Sequence, residues 1–260
     1  MNSIYITSTR GRLHASQLGP AWGRPLLCLH HGGGGFAKEP WAAPFPLLAK
    51  EEAPWRILRV DRLGYGLSDP RPTAFPPGFF EGDLQDLEQV LDTWEPHRPV
   101  VLQGTSDGGS LALMAAARWP GRIAAVAVDG AHHRTEPSMR AALLYMRARF
   151  LAKHGPARAG EAMELQTLRD WFAGWLLIVG QGWNMEEELS TLSCPVAVLQ
   201  GELDGIVEQA HAHHLAASLG RPVAATILPG GAHLCQRSHP AAWAAWLRGF
   251  LESLPPTEAS

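Results

Sequence analysis

Residues 99–119 read PVVLQGTSDGGSLALMAAARW, and this stretch decides the architecture. It opens on an apolar run, passes through Gly104-Thr105-Ser106-Asp107-Gly108, and continues as an alanine-rich segment that stops before Pro120. A short apolar run bounded by glycine suits a strand buried on both faces of a parallel sheet. The alanine-rich segment suits a buried helix, which Pro120 ends because proline has no N–H and clashes with the preceding turn. Between the two stands the pattern G-x-S-x-G. A side chain on a sharp strand-to-helix turn is held out of the sheet, and so tight a turn admits only small neighbours. The helix start behind it offers unpaired N–H groups and a positive dipole end. Ser106 is therefore a candidate nucleophile. The plainer alternative is a serine N-cap on a glycine-tight turn.

The same strand signal recurs along the chain. It appears in PLLCLHH (25–31), WRILRVD (55–61), IAAVAVDG (123–130), PVAVLQG (195–201) and PVAATILPG (222–230). Alternation around Ile4, Ile6, Leu13 and Ala15 predicts two antiparallel strands with a turn at Arg10–Gly11. Helical spacing runs through Leu84, Leu87, Val90 (or Leu91) and Trp94, and again through Trp243, Trp246, Leu247 and Phe250. Strand–helix alternation of this kind predicts a doubly wound α/β fold. One gap breaks the rhythm. Between Gly130 and Pro195 no strand is evident, but Met139, Leu143, Met146 and Phe150 form one helical stripe. Leu165, Leu168, Trp171 (or Phe172) and Trp175 form another. Residues 134–192 therefore read as a helical insertion in a core made of residues 1–133 and 193–260.

Serine is a weak nucleophile at neutral pH and needs a base, itself oriented by a third group. On a G-x-S-x-G turn those partners follow in the order acid, then histidine, each after a strand. Asp204 stands just past 195–201, and His233 lies in a glycine-rich loop past 222–230. Asp129, which also ends a strand, is the rival acid.

At this point the chain resembles the α/β-hydrolase family, over nearly all of its length. His31-Gly32-Gly33-Gly34-Gly35 resembles that family's oxyanion loop. Asp61-Arg62-Leu63-Gly64-Tyr65-Gly66-Leu67-Ser68 resembles its D-x-x-G-x-G-x-S turn. The resemblance implies Ser106 as nucleophile, His233 as general base then acid, and Asp204 as the group holding the imidazolium. It implies an oxyanion hole from the N–H of Asp107 and one from the glycine loop, Gly33 with Gly34 as competitor. It makes residues 134–192 a cap, whose surface usually roofs the pocket. Trp175 and Trp183 from that segment, with His132 at its edge, are the substrate-contact candidates. The Asp107 side chain has two readings: an acid favoured in a first helical turn, or a pocket carboxylate that excludes anionic substrates or binds an amine.

Composition bounds the rest. The 260 residues, 46 % hydrophobic and 18 % charged, exclude a disordered chain. A net charge of −3 leaves no basic footprint for nucleic acid. Three widely spaced cysteines make no disulfide framework, and no signal-like or membrane-spanning run is present. The expectation is a soluble, cytoplasmic, cofactor-free enzyme with no metal site and a small-molecule acyl substrate, a carboxylic ester first of all. Thioester, lactone, amide, acyl-transfer and C–C bond chemistry remain open, as does a non-catalytic ligand receptor on the same fold. Of twelve histidines, the group His211, His213 and His214 reads as a solvated helix, and His30 and His31 as supports of the glycine loop.

Overall fold

A computed structural model describes residues 2–37, 55–75 and 78–255. Eight strands form one sheet in the order β1-β2-β4-β3-β5-β6-β7-β8. They are β1 (Asn2–Ser8), β2 (Gly11–Leu18), β3 (Arg24–Leu29), β4 (Trp55–Val60), β5 (Val100–Thr105), β6 (Ile123–Asp129), β7 (Val196–Gly201) and β8 (Ala225–Leu228). The first two pair antiparallel, β2 joins β4 antiparallel, and β3 through β8 run parallel. Every residue of the central strand β5 is buried, as a strand covered on both faces requires. The last strand is shorter than its apolar run. Pro222 and Pro229 bracket it, it pairs only with β7, and its residues are at most half-buried.

The helices are α1 (Phe79–Trp94), α2 (Asp107–Arg118), α3 (Pro137–His154), α4 (Met163–Gln181), α5 (Glu186–Ser190), α6 (Gln209–Ser218), α7 (Cys235–Ser238) and α8 (Pro240–Ser253). On α1 the stripe Leu84, Leu87, Val90 and Trp94 is buried against the sheet. From the opposite side, Trp243, Leu247 and Leu251 of α8 pack on Leu26, Ile57 and Val101. The two sides give separate clusters of buried apolar residues, the layered arrangement of a doubly wound sheet.

The segment between β6 and β7 holds α3, α4 and α5. Helix α3 starts with proline at its first position and ends at Gly155, where φ is +72°. Its Met139, Leu143 and Phe150 are buried, facing Trp171 and Phe172 of α4 within one apolar cluster. Among the described residues no helix is long and apolar enough to cross a membrane.

Candidate active site

In a parallel sheet the strands all deliver their following loops to one edge, and ligands bind there. Here the loops after β3, β5, β6, β7 and β8 bring His31–Gly33, Ser106, His132, Asp204 and His233 to that edge. Ser106 sits on the turn between β5 and α2 with φ +54° and ψ −121°. It is the sole non-glycine residue with positive φ among the described residues. Such a conformation costs on the order of 1–3 kcal/mol and persists only where the surroundings enforce it. The turn is packed so closely that its flanking glycines have no room for a side chain. A Cβ on Gly104 would come 2.2 Å from the Gly108 carbonyl oxygen, and one on Gly108 would come 2.3 Å from that of Leu29.

Three predicted residues meet in series. The Ser106 Oγ lies 3.0 Å from His233 Nε2, and His233 Nδ1 lies 2.7 Å from Asp204 Oδ2. Asp204 is fixed on all sides. Its Oδ1 accepts the N–H of Ile206 at 2.8 Å and of Val207 at 3.0 Å, and its Oδ2 accepts the Gln200 amide at 2.5 Å. Burial alone would raise the Asp204 pKa, but the facing His233 and these backbone donors hold it below the usual carboxylate range. For His233 burial alone would lower the pKa, yet the Asp204 carboxylate outweighs it and the value is raised. The arrangement leaves Nε2 of a neutral His233 free to accept the serine proton.

His233 Nδ1 bonds Asp204, while Asp129, the rival acid, bonds other partners. Its Oδ2 accepts hydrogen bonds from Thr105 Oγ1 at 2.9 Å, Trp243 Nε1 at 3.1 Å and Gln103 Nε2 at 3.2 Å. Burial pushes its pKa up to about 6. It braces strand and helix beneath the turn.

Gly32 and Gly33 line the cavity in front of Ser106, whereas Gly34 does not. The Gly33 N–H is already engaged, donating to His31 Nδ1 at 2.9 Å. His31, whose pKa burial lowers to about 3, stays neutral. His30 holds the loop from below, with Nδ1 bound to the His31 carbonyl and Nε2 accepting the N–H of Arg62. Both histidines thus support this loop, as the sequence reading expected.

The cavity has a volume of about 580 Å³. Its wall from the insertion is Met146 of α3 with Leu168, Trp171 and Phe172 of α4. Trp175, Trp183 and His132, the expected substrate contacts, are not among the residues that line it. Trp175 is drawn off by its indole, which donates to Asp107 Oδ1 at 3.1 Å while its ring packs edge-on to Phe79 and Phe80. Trp183 stacks on Phe80 with ring centroids 5.7 Å apart. His132 stands beside Ser106 itself, its Nε2 3.3 Å from Oγ.

Comparisons with known proteins bear on the family. The family model of the alpha/beta hydrolase fold matches residues 25–172, more than half of the chain. The chain belongs to the alpha/beta hydrolase fold family. It is similar to the mouse protein named serine hydrolase BPHL, 29 % identical over 214 residues that cover 78 % of this chain and 70 % of that one. The human protein of that name is 30 % identical over 168 residues, 60 % of this chain and 56 % of its own. Among solved structures, a putative lipase from Acinetobacter baumannii superposes with TM-score 0.81 at 15 % identity, covering 97 % of this chain and 91 % of that one. An esterase from Thermogutta terrifontis superposes with TM-score 0.73 at 20 % identity, covering 98 % and 99 %.

For this hydrolase-fold chain the sequence reading missed a buried ionic layer under α4. The Asp107 carboxylate does not line the cavity. Its Oδ2 accepts the Trp171 indole N–H at 2.7 Å, its Oδ1 that of Trp175, and Arg62 lies 3.6 Å away. Burial raises the Asp107 pKa, opposed by Arg62 and the two indoles. Arg62 in turn bonds Asp83 of α1 at 2.8 Å, and Asp83 also pairs with Arg71. The signal available was an acid at position 107 with two tryptophans spaced i, i+4 on a helix, but nothing in the sequence places that helix over the turn. A second miss is His211. The residue is buried on α6, with Nε2 2.9 Å from His133 Nδ1, while His213 and His214 are exposed. Only these last two fit the solvated helix expected. Among the described residues no group of three His, Cys, Asp or Glu is arranged to hold a metal.

Proposed function

We propose that this α/β-hydrolase cleaves carboxylic esters of small apolar acids or alcohols through a Ser106–His233–Asp204 catalytic triad. The observation that carries the reading is the hydrogen-bonded series from Ser106 Oγ through His233 to Asp204, with Ser106 and His233 lining an apolar cavity. Substrate enters between the glycine loop and the wall of Met146, Leu168, Trp171 and Phe172, with the insertion serving as cap. His233 Nε2 takes the Ser106 proton as Oγ attacks the carbonyl carbon. The imidazolium gains the Asp204 carboxylate as counter-charge, consistent with the raised His233 pKa and lowered Asp204 pKa. His233 then returns the proton to the departing alkoxide, leaving an acyl-Ser106 ester. Water attacks this ester with His233 again as base, and the acid is released with Ser106 restored.

The oxyanion needs donors aimed at its position. Asp107, the first residue of α2, carries an N–H that a helix start leaves without an intrahelical acceptor. From the loop we propose Gly33. Its N–H must leave His31 Nδ1 to serve, exchanging a neutral acceptor for an anion, and hydrogen bonds to anions are about twice as strong. Three free, buried cysteines, Cys28, Cys194 and Cys235, support a reducing compartment such as the cytoplasm. Burial pushes the Cys235 thiol up to about 12, so it is no second nucleophile beside His233.

The test is labelling with a fluorophosphonate probe, followed by turnover of short- and medium-chain nitrophenyl esters. Wild-type protein should label once at Ser106 and turn the esters over; Ser106→Ala should do neither, with turnover down by roughly 10⁵–10⁶. Wild-type protein that neither labels nor turns over would refute the hydrolase reading and favour a ligand receptor.

A further inference from the structure

Ser106 Oγ has two imidazoles in reach. His233 Nε2 approaches at 3.0 Å and His132 Nε2 at 3.3 Å. We infer that His132 is a second catalytic histidine, one that donates a hydrogen bond from Nε2–H to Ser106 Oγ and thereby directs the serine proton to His233. The inference rests on the reading of Ser106 as nucleophile.

The position of His132 is built, not incidental. It follows β6 through Gly130, whose φ is +57°. Its N–H donates to Ser110 Oγ at 3.1 Å, and Ser110 Oγ returns its proton to the His132 carbonyl at 2.6 Å. Ser110 stands one turn into α2 from Ser106, so the same helix that starts at the nucleophile pins the second histidine. The ring lies nearly parallel to that of His233, 29° between planes and 6.0 Å between centroids, and meets Trp175 edge-on at 5.0 Å. The two rings flank it.

Proton counting then assigns the tautomer. His132 is 3 % exposed. Burial, with His233 and His211 nearby, pushes its pKa well below the ordinary imidazole value, so the ring carries one proton. Its Nδ1 is buried and meets no protein hydrogen-bond partner among the described residues. A proton on Nδ1 would make an unpaired buried N–H, which native structures rarely tolerate. It would also leave two bare nitrogens facing Oγ, one on each histidine, with a single serine proton between them. A proton on Nε2 removes both conflicts. His132 then donates to Oγ, and the serine hydroxyl has only His233 Nε2 left as acceptor.

The chemical consequence is specific. As His233 removes the proton, negative charge grows on Oγ before the C–O bond is complete, and the His132 N–H faces that charge. When the second tetrahedral intermediate collapses, Oγ departs from carbon and takes its proton back from His233 Nε2, with the same N–H at hand. His132 keeps its own proton throughout. It stabilises the oxygen in both half-reactions and stays neutral beside the imidazolium.

The test compares His132→Gln, His132→Asn and His132→Phe, with Ser106→Ala as blank. A glutamine amide N–H reaches the place of imidazole Nε2, whereas an asparagine amide matches Nδ1 and falls short. Readouts are the second-order rate of fluorophosphonate labelling at Ser106, and kcat with KM for nitrophenyl butyrate. Removing a hydrogen bond to a charged oxygen should slow labelling and kcat by about 10–100-fold in the Phe and Asn variants, with KM nearly unchanged. His132→Gln should recover to within about threefold of wild type. Melting curves establish folding, and if the Phe variant unfolds, the Gln and Asn pair decides alone. Wild-type rates in His132→Phe, or a folded Gln variant as slow as Asn, would overturn the donor role. A wild-type protein unlabelled at Ser106 overturns the nucleophile and this inference together, so the two failures are distinct.

Discussion

The two sides of the cavity are built by different means. On the core side each chemical group rides a loop that leaves the end of a parallel strand, and main-chain groups help to hold it. Asp204 is gripped by the N–H groups of Ile206 and Val207, and Ser106 by the turn whose own N–H bonds the Asp129 carbonyl at 2.9 Å. On the insertion side the helices reach the core through side chains. Trp171 and Trp175 hang on one carboxylate, Thr167 Oγ1 donates to the Gly64 carbonyl at 2.9 Å, and Met146 and Leu168 offer only apolar surface. Main-chain anchoring tolerates little variation, because the positions are set by sheet register. Side-chain anchoring can change residue by residue. On the proposed reading, the first side fixes the chemistry and the second adjusts what is admitted.

The sharpest way to break this comparison lies within the core side, between two aspartates that both end strands. Asp204→Asn should lower kcat by about 10⁴, since an amide cannot hold His233 in the working tautomer or offset its charge. Asp129→Asn should cost less than about tenfold. Its donors, Gln103, Thr105 and Trp243, all point at a single oxygen that asparagine retains. Steady-state kinetics on one nitrophenyl ester decides it. Equal losses would mean that strand-end position, not contact with His233, sets the role.

The insertion side answers differently. Trp171→Phe removes a charge-assisted hydrogen bond to a buried carboxylate, worth about 1.5–3 kcal/mol, and should lower Tm by about 3–10 °C. Asp107→Asn should cost more, because Arg62 loses a buried counter-charge; breaking such a pair costs about 3–5 kcal/mol. Fluorophosphonate labelling of Ser106 should slow by less than about tenfold in both, since neither side chain touches Oγ. A loss of labelling as deep as that of Asp204→Asn would show that the insertion carries chemistry as well as shape.

What was legible in the sequence follows the same division. Ser106, Asp204 and His233 each stand just past a short apolar run, so strand periodicity alone put them on one edge. The rival Asp129 passes that filter as well, and only its hydrogen-bond partners separate it from Asp204. Trp175 reads as a pocket residue because it shares a helical stripe with Trp171, and Trp183 because the resemblance makes its segment a cap. The stripe gives the buried face but not the rotation over the turn, and Asp107 decides that rotation. His132 was placed near the mouth, yet its contact with Oγ depends on Ser110 four residues into a different element. Pairings of this kind, 22 residues apart in sequence, leave no periodic trace.

The pH profile sharpens the core side further. His233 works as a base only when neutral, and its pKa is raised above the usual 6.5 because Asp204 outweighs burial. Log kcat/KM should therefore climb with pH and level off beyond an inflection above 6.5. In the residual activity of Asp204→Asn the main raising partner is gone, so the inflection should fall relative to wild type. An unmoved inflection would detach the profile from this pair.

The smallest expected effect belongs to the cavity wall. Leu168 of α4 is half-buried and faces the space in front of Ser106. Leu168→Ala removes three carbons from the wall without touching Asp107, His233 or the glycine loop. Each methylene bound in an apolar site contributes about 0.8 kcal/mol. The enlarged wall should therefore raise kcat/KM for longer nitrophenyl esters relative to acetate by several-fold, and leave acetate within about twofold. The change should fall mainly on KM, because the added contacts are present in ground and transition states alike. If the preference shifts through kcat instead, the wall positions the reacting carbonyl. The insertion would then share in the chemistry that sheet register otherwise assigns to the core.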